Sequence, residues 1–382
     1  MSDNDHPKNE AAWLPAKQVK PLEVGPAPYT APGPGEIVVK NAAVAINPID
    51  WQKQILGDIL LGYIKYPFVL GGDVAGTVTE VGPGVQRFKV NDRVVAAALA
   101  IAPVSGNAAE GAFQRYTLIR EHMASPLPDH ISYEQACVMP LTLSTAVYGL
   151  FHPSFLALDM PNVPSISTSR KSAPRAVIIT GGSSSVGANA IQLAVAAGYE
   201  VLSTSSPKNF DFVKKLGAAQ VFDYNSKTLA ADVLVALEGR SLAGAYAIGD
   251  GAVEVCTLVM TRHKNTTHKF VAMAGGSPLG DKLQTLTGKV FLIISMLWKI
   301  LKQAFASRIT GVKVQFIDLK DAAEPEGHVA RIYKEYLPRA LAEGQHVPAP
   351  DPVVVGTGLE KIQEAMDIQM KGVSAQKIVV SL

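Results

Sequence analysis

The sequence predicts an α/β protein in which a β-rich unit is followed by a doubly wound unit built on a parallel sheet. Three observations lead there. The 382 residues are enough for two to three domains at roughly 150 residues each. Residues 13–141 carry short β-type runs between Gly/Pro turns, whereas residues 175–274 alternate apolar strand runs with helical stretches.

In the first unit 36–40 (EIVVK), 74–81 and 92–95 read as strands. The turns at 32–35 (PGPG) and 82–84 (GPG) separate them, because proline fixes φ at a turn corner and glycine accepts positive φ. Helical periodicity begins at 140–150 (PLTLSTAVYGL), and the polar 161–174 reads as a surface loop or linker. Beyond it, strands at 176–179, 200–202, 220–222 and 270–274 and helices at 186–197 and 209–216 imply right-handed βαβ crossovers and a parallel sheet. A long apolar helical stretch at 283–306, helices at 329–343 and 359–371 and a closing strand at 377–380 complete the chain, with no internal repeat.

Apolar residues make up 48% of the chain and charged residues 18%, a composition that suits a buried core and excludes extended disorder. Lys plus Arg number 35 against 33 for Asp plus Glu, with no run of like charge, so no nucleic-acid partner is expected. Cys137 and Cys256, without a Cys-x-x-Cys or Cys/His cluster, point to a reducing compartment. The polar N-terminus has no apolar targeting core and the last residues match no retention signal, which makes the cytoplasm the expected location. The apolar run 290–298 lies between Lys289 and Lys299, far short of the about 20 residues a membrane span needs.

The most informative stretch is 177–187, VIITGGSSSVG, a buried strand turning through small residues into a helix. Gly182-x-Ser184-x-x-Gly187 has the spacing of a dinucleotide-binding turn with serine as its middle member. Small residues are needed because the backbone approaches a pyrophosphate, whose charge rests on the N–H groups and dipole of the helix start. Gly182, Ser184, Ser185, Val186 and Gly187 are the candidate contacts. At the end of the second strand, where an NAD enzyme keeps a carboxylate for the ribose hydroxyls, this chain has TSSPKN at 204–209. Ser206, Lys208 and Asn209 offer donors to a 2′-phosphate that a carboxylate would repel, so the expected cofactor is NADPH. Tyr224, beyond the third strand, either closes over the adenosine phosphate or packs half-buried.

Three blocks in order carry a resemblance: NPIDW at 47–51, GGDVAGTVTEVG at 71–82, and the nucleotide turn with Gln192-Leu193-Ala194. The chain resembles the medium-chain dehydrogenase/reductase superfamily in its quinone- and enoyl-reductase branch. Residues 140–150, 205–224 (SSPKNFDFVKKLGAAQVFDY) and 353–366 (VVVGTGLEKIQEAM) resemble the fungal trans-acting enoyl reductases that serve reducing polyketide synthases, the lovastatin-pathway type. The similarity runs from residue 13 to 382. It implies a GroES-like catalytic domain, 1–145 and 311–382, split by a Rossmann NADP(H)-binding domain at 146–310. It also implies that Pro48, Asp50 and Trp51 edge the cofactor, with Val373 and Ser374 near the C-terminus, although Trp51 alone reads as core.

Zinc-dependent relatives need a thiolate, an imidazole and a carboxylate. Here the segment corresponding to Gly-His-Glu reads Gly71-Gly72-Asp73, and no cysteine lies near 47–51. The cysteine cluster of a structural zinc site is absent, and His122, His130, His152, His263 and His268 show no ligand spacing, so no metal is expected. Reduction of an activated alkene needs none. Hydride adds to the β-carbon of an enoyl carbonyl compound, leaving an enolate that requires hydrogen-bond donors and a proton at the α-carbon. Thr142, Ser144 and Thr145 lie where the family's helix meets nicotinamide and substrate; helix capping and interdomain packing is the other reading of the three. Many relatives carry lysine where this chain has Gln52, with Lys53 beside it, so hydroxyl or backbone donors at 142–145 are expected to hold the enolate. An acyl-chain pocket is expected at 274–286, with Ala274, Gly275, Gly276, Ser277 and Leu279 lining it, and the middle of 283–306 is assigned to packing or self-association.

The leading expectation is an NADPH-dependent enoyl reductase that works without zinc on an acyl-carrier-bound enoyl thioester alongside a polyketide synthase. A quinone or alkenal reductase of general metabolism shares the hydride chemistry. A non-catalytic NADP-binding partner protein is the reading from another class. Monomer and homodimer both remain open.

Overall fold

The computed structural model describes residues 6–164, 174–275, 285, 287–288, 294, 302–303 and 305–382. It contains two compact units, Met1–Leu141 with Lys320–Leu382, and Thr142–Leu319. These borders lie before 145/146 and after 310/311.

The first unit is built on a seven-stranded sheet. Its order is Asp351–Thr357, Gln376–Ser381, Glu36–Ala45, Asp73–Val81, Arg93–Ala97 and Ala124–Pro126, with Tyr116–Arg120 also paired to Glu36–Ala45. The apolar stretches of Glu36–Ala45 explain its central place, since Ile37, Val38, Val39, Ala43, Val44 and Ala45 are all buried. Pairing is antiparallel except between Asp351–Thr357 and Gln376–Ser381, which are joined through helix Ile362–Met370. A small second sheet, Glu23–Ala27, Asn9–Leu14 and Phe68–Val69, adds strands that the β-pattern did not announce. The helix expected at 329–343 is broken into His328–Arg331, a π-helical turn Ile332–Tyr336 and Leu337–Ala342. Pro338 accounts for this: it has no N–H to donate and its ring crowds the carbonyl four residues back, which the wider turn relieves.

The second unit is a six-stranded parallel sheet in the order Gln220–Asp223, Glu200–Ser205, Arg175–Ile179, Ser241–Ile248, Phe270–Ala274 and Lys313–Phe316. The strand order reverses direction between Arg175–Ile179 and Ser241–Ile248, where ligands of doubly wound sheets bind. Ser241–Ile248 (SLAGAYAI) was absent from the strand expectations because alanine and glycine stand where β-branched residues usually mark a central strand. Gly244 has φ 138°, and a Cβ there would lie 2.7 Å from the Leu156 side chain. The core joins Ile178, Leu202, Ala245 and Val271 of the sheet to Val233, Leu237, Cys256 and Val259 of the helices beside it. Most of 276–304 lies outside the described residues, including Gly276, Ser277, Leu279 and about two thirds of the 283–306 stretch. No helix among the described residues is long and apolar enough to cross a membrane.

Candidate active site

In the second unit, strand Arg175–Ile179 leads through Thr180–Ser184 into helix Ser185–Ala196. The Thr180 hydroxyl donates to the Ile248 carbonyl at 2.9 Å and accepts from the Ile248 N–H at 2.7 Å, which ties the turn to the neighbouring strand. Gly181 has φ 61°, the left-handed region. Gly182 and Gly187 are required by close approach: a Cβ on Gly182 would lie 2.3 Å from Ser203 Oγ, and one on Gly187 would lie 2.3 Å from the Gly181 carbonyl oxygen. Ser184 Oγ accepts from the Gly187 N–H at 3.1 Å and donates to the Gly181 carbonyl at 2.7 Å. Its capping leaves the Ser185 and Val186 amides at the positive end of the helix, without intrahelical acceptors.

The adjacent parallel strand Glu200–Ser205 ends beside this turn, and Ser205 Oγ donates to Ser183 Oγ at 3.1 Å. Ser206, Lys208 and Asn209 follow directly, with Asn209 Nδ2 on Ser206 Oγ at 3.2 Å and Lys208 exposed. Tyr224 continues from the third strand and is 55% exposed. The Asp223 carboxylate turns to the Asn225 N–H within its own turn. The nucleotide candidates therefore gather at the carboxyl ends of three neighbouring strands.

In the first unit a buried polar cluster surrounds Asp73. Lys377 Nζ donates to Asn47 Oδ1 at 2.6 Å and sits 3.0 Å from Asp73 Oδ2. Asn47 Nδ2 reaches the same Asp73 oxygen at 2.8 Å, and the Leu141 N–H donates to Asp73 Oδ1 at 2.6 Å. Asn47 precedes helix Pro48–Leu56, and Asp50 returns a capping-box bond by accepting the Asn47 N–H at 2.8 Å. Burial pushes the Asp50 carboxyl up to about 7, with the Asp73 carboxylate adding to the rise.

The alcohol dehydrogenase GroES-like domain family matches residues 33–129. A dehydrogenase, pigH, of Monascus ruber is 46% identical over 98% of this chain and 100% of its own length. A trans-enoyl reductase, himH, of Aspergillus japonicus is 36% identical over 98% of this chain and 97% of its own. The chain belongs to the medium-chain dehydrogenase/reductase superfamily. The crystal structure of CurK enoyl reductase matches with a TM-score of 0.69 at 18% identity, covering 98% of this chain and 99% of that one, a likeness of fold. As a member of this superfamily the chain is an oxidoreductase.

Membership implies a nicotinamide dinucleotide, and the turn fits one. The glycines leave a surface that any Cβ at Gly182 or Gly187 would fill, and the Ser185 and Val186 amides stand at its edge. Zinc, which some superfamily members hold, does not fit. Asp73 stands at the carboxylate position of the Gly-His-Glu segment, and both of its oxygens are engaged by an ammonium, an amide and a backbone N–H. Among the described residues no group of three His, Cys, Asp or Glu side chains could hold a metal ion.

The remaining candidates divide. Asp50 and Trp51 are each 1% exposed, and the Trp51 indole N–H is taken by Gln369 Oε1 of helix Ile362–Met370. Their side chains hold the segment from inside, so the assignment of Asp50 and Trp51 as cofactor contacts is corrected. Pro48 is exposed and Gln52 half-buried at its surface, while Val373 and Ser374 are exposed beyond helix Ile362–Met370. Lys53 is fully buried, its ammonium on the Gly57, Leu60 and Leu61 carbonyls at 3.1 Å each. Thr142, Ser144 and Thr145 lie in the first turns of helix Pro140–Phe151; Thr142 and Ser144 are buried and Thr145 half-buried. Asn189 Nδ2 donates to Thr142 Oγ1 at 3.2 Å and to the Ser185 carbonyl at 2.9 Å, and Tyr246 Oη donates to the Thr145 carbonyl at 2.9 Å. Ala274 is buried at its strand end and Gly275 has φ 71°. Lys377 and Asn189 escaped the sequence reading, although Asn189 left a signal as an amide within an alanine-rich helix.

Proposed function

We propose that this oxidoreductase is an NADPH-dependent enoyl reductase acting in trans, which reduces the α,β-double bond of an acyl-carrier-bound enoyl thioester during polyketide biosynthesis, without zinc. The observation that carries the reading is the Asp73 carboxylate spent on Lys377, Asn47 and the Leu141 N–H. A metal that polarises a substrate needs such a carboxylate's lone pairs, whereas an activated alkene needs only donors for the enolate oxygen. The likeness to a trans-enoyl reductase supports the substrate class. The donors Ser206, Lys208 and Asn209, in place of a carboxylate, support NADPH.

A bound NADPH supplies the hydride that the β-carbon receives. The chain does the rest. The Gly182–Gly187 turn admits the pyrophosphate and the strand end selects the 2′-phosphate. Ser144 and Thr145 supply the hydroxyls that steady the enolate oxygen, and Asn189 fixes the turn that carries them through Thr142. The test is NADPH oxidation with enoyl thioesters, a simple enone and a quinone as acceptors. Enoyl thioesters should give the highest kcat/KM, and Thr145→Val should lower kcat roughly 10²-fold while NADPH still binds. A preference for quinones or alkenals would mark a reductase of general metabolism. Tight NADPH binding with no turnover of any acceptor would mark a non-catalytic partner protein.

A further inference from the structure

Helix Pro140–Phe151 starts with a proline, which has no N–H, so Leu141 carries the first amide without an intrahelical acceptor. That amide is the one Asp73 Oδ1 accepts, at 2.6 Å, a short bond of the charge-assisted kind. We propose that Asp73 and its counter-ion Lys377 are positioning residues for the reduction, a buried clamp that fixes the first turn of the helix bearing Thr142, Ser144 and Thr145. The inference rests on the reading above, which gives that helix its donors.

Asp73 is 0% exposed and Lys377 4%, so neither charge is shared with water. Asp73 Oδ2 holds the Lys377 ammonium and the Asn47 amide, while Oδ1 points to the helix. The carboxylate cannot turn from the helix without leaving an ammonium partly unpaired in the interior, which buried ion pairs do not tolerate. Both charges come from sheet strands, Asp73 opening Asp73–Val81 and Lys377 lying in Gln376–Ser381, so the helix start inherits the rigidity of the sheet. Tyr333 Oη adds a second tie by donating to the Pro140 carbonyl at 3.0 Å. An ion pair that served the fold alone would need Oδ2 and the ammonium; the use of Oδ1 on the helix amide is what the positioning role explains.

The test neutralises both charges at once, Asp73→Asn with Lys377→Met, so that neither is left unpaired. The double variant is expected to keep its melting temperature and its NADPH affinity. Amides of 141–144 should exchange hydrogen roughly tenfold faster in hydrogen-exchange mass spectrometry. kcat for an enoyl thioester should fall roughly tenfold with KM little changed. Should the double variant fail to fold, Asp73→Glu with Lys377 retained makes the same measurement, since it keeps the charge and displaces the carboxylate by one methylene. A folded variant with unchanged kcat overturns the positioning role. Faster exchange at 141–144 in a chain whose wild type turns over no enoyl acceptor leaves the clamp standing and sinks the enoyl-reductase reading instead.

Discussion

In the nucleotide turn the capping bond joins residues three apart, Gly187 N–H to Ser184 Oγ. The bonds that Asp73 and Lys377 make to Asn47 and the Leu141 N–H join residues 26, 68 and 330 apart. The turn places its backbone by leaving side chains out, at Gly182 and Gly187, so that strand and helix come close enough to present amides to an anion. The cluster places its members by charge, with one ammonium answering a fully buried carboxylate. The first arrangement is steric and local, and one methyl group defeats it. The second is electrostatic and assembled from distant segments, and it answers to protonation.

The steric side breaks hardest. Gly187→Ala puts a Cβ 2.3 Å from the Gly181 carbonyl oxygen and 2.9 Å from the Gly182 Cα, both backbone atoms that cannot rotate away. The turn must open, at a cost of about 3 kcal/mol in stability, and NADPH affinity should drop by about 10²-fold. Gly25→Ala is the control, because nothing lies within 4 Å of its Cβ and its φ is ordinary. Urea melts and fluorescence titration of NADPH check both, and equal behaviour of the two variants would remove the steric account of the turn.

The electrostatic side should show itself in pH. Asp50 lies in the same buried cluster, and burial raises its carboxyl from 3.8 to about 7, helped by Asp73 and opposed by Lys377 and the Asn47 N–H. Between those values the folded protein keeps a proton that the unfolded chain has released. The stabilising contribution is therefore present below about pH 4, is lost as pH rises to about 7 and is flat beyond, with a slope of at most about 1.4 kcal/mol per pH unit. Asp50→Asn preserves an acceptor for the Asn47 N–H and removes the titration. Wild type should lose stability relative to this variant as pH rises through that window, as read by urea melts at several pH values. Parallel curves for the two proteins would show that Asp50 is ionised in the fold throughout.

The same contrast decides what could be read from the sequence. The nucleotide turn was legible because its requirement is local: a strand, small residues at fixed spacing and a helix occupy one stretch of text. The α/β class and the placement of Ser206, Lys208 and Asn209 at a strand end were legible for the same reason. Lys377 was not, since a lysine in KIVVS reads as the solvated residue of an edge strand. Only the antiparallel pairing of Gln376–Ser381 with Glu36–Ala45 carries it to Asn47 and Asp73. The NPIDW motif was legible as a motif, but Asp50 and Trp51 serve from inside, which spacing cannot distinguish from a surface role. The helix at 329–343 reads as continuous, because its apolar periodicity runs through Pro338 and does not show the π-turn that the proline imposes.

The smallest expected effect returns to the nucleotide site, at the lysine of its strand end. Lys208 is exposed at the end of strand Glu200–Ser205, beside Ser206 and Asn209. Water and salt screen its attraction for a 2′-phosphate in a way they cannot screen Lys377 against Asp73. Lys208→Ala should therefore weaken NADPH binding only roughly tenfold and leave NADH binding unchanged. The difference between wild type and variant should shrink as ionic strength rises, because the contact is made across solvent. Steady-state kinetics with both cofactors at low and high salt reads all of this. Equal kcat/KM for NADPH and NADH in the wild type would show that the strand end makes no choice between them. A loss of affinity for both cofactors in the variant would place Lys208 on the pyrophosphate, within the steric site, and erase the contrast between screened and buried charge.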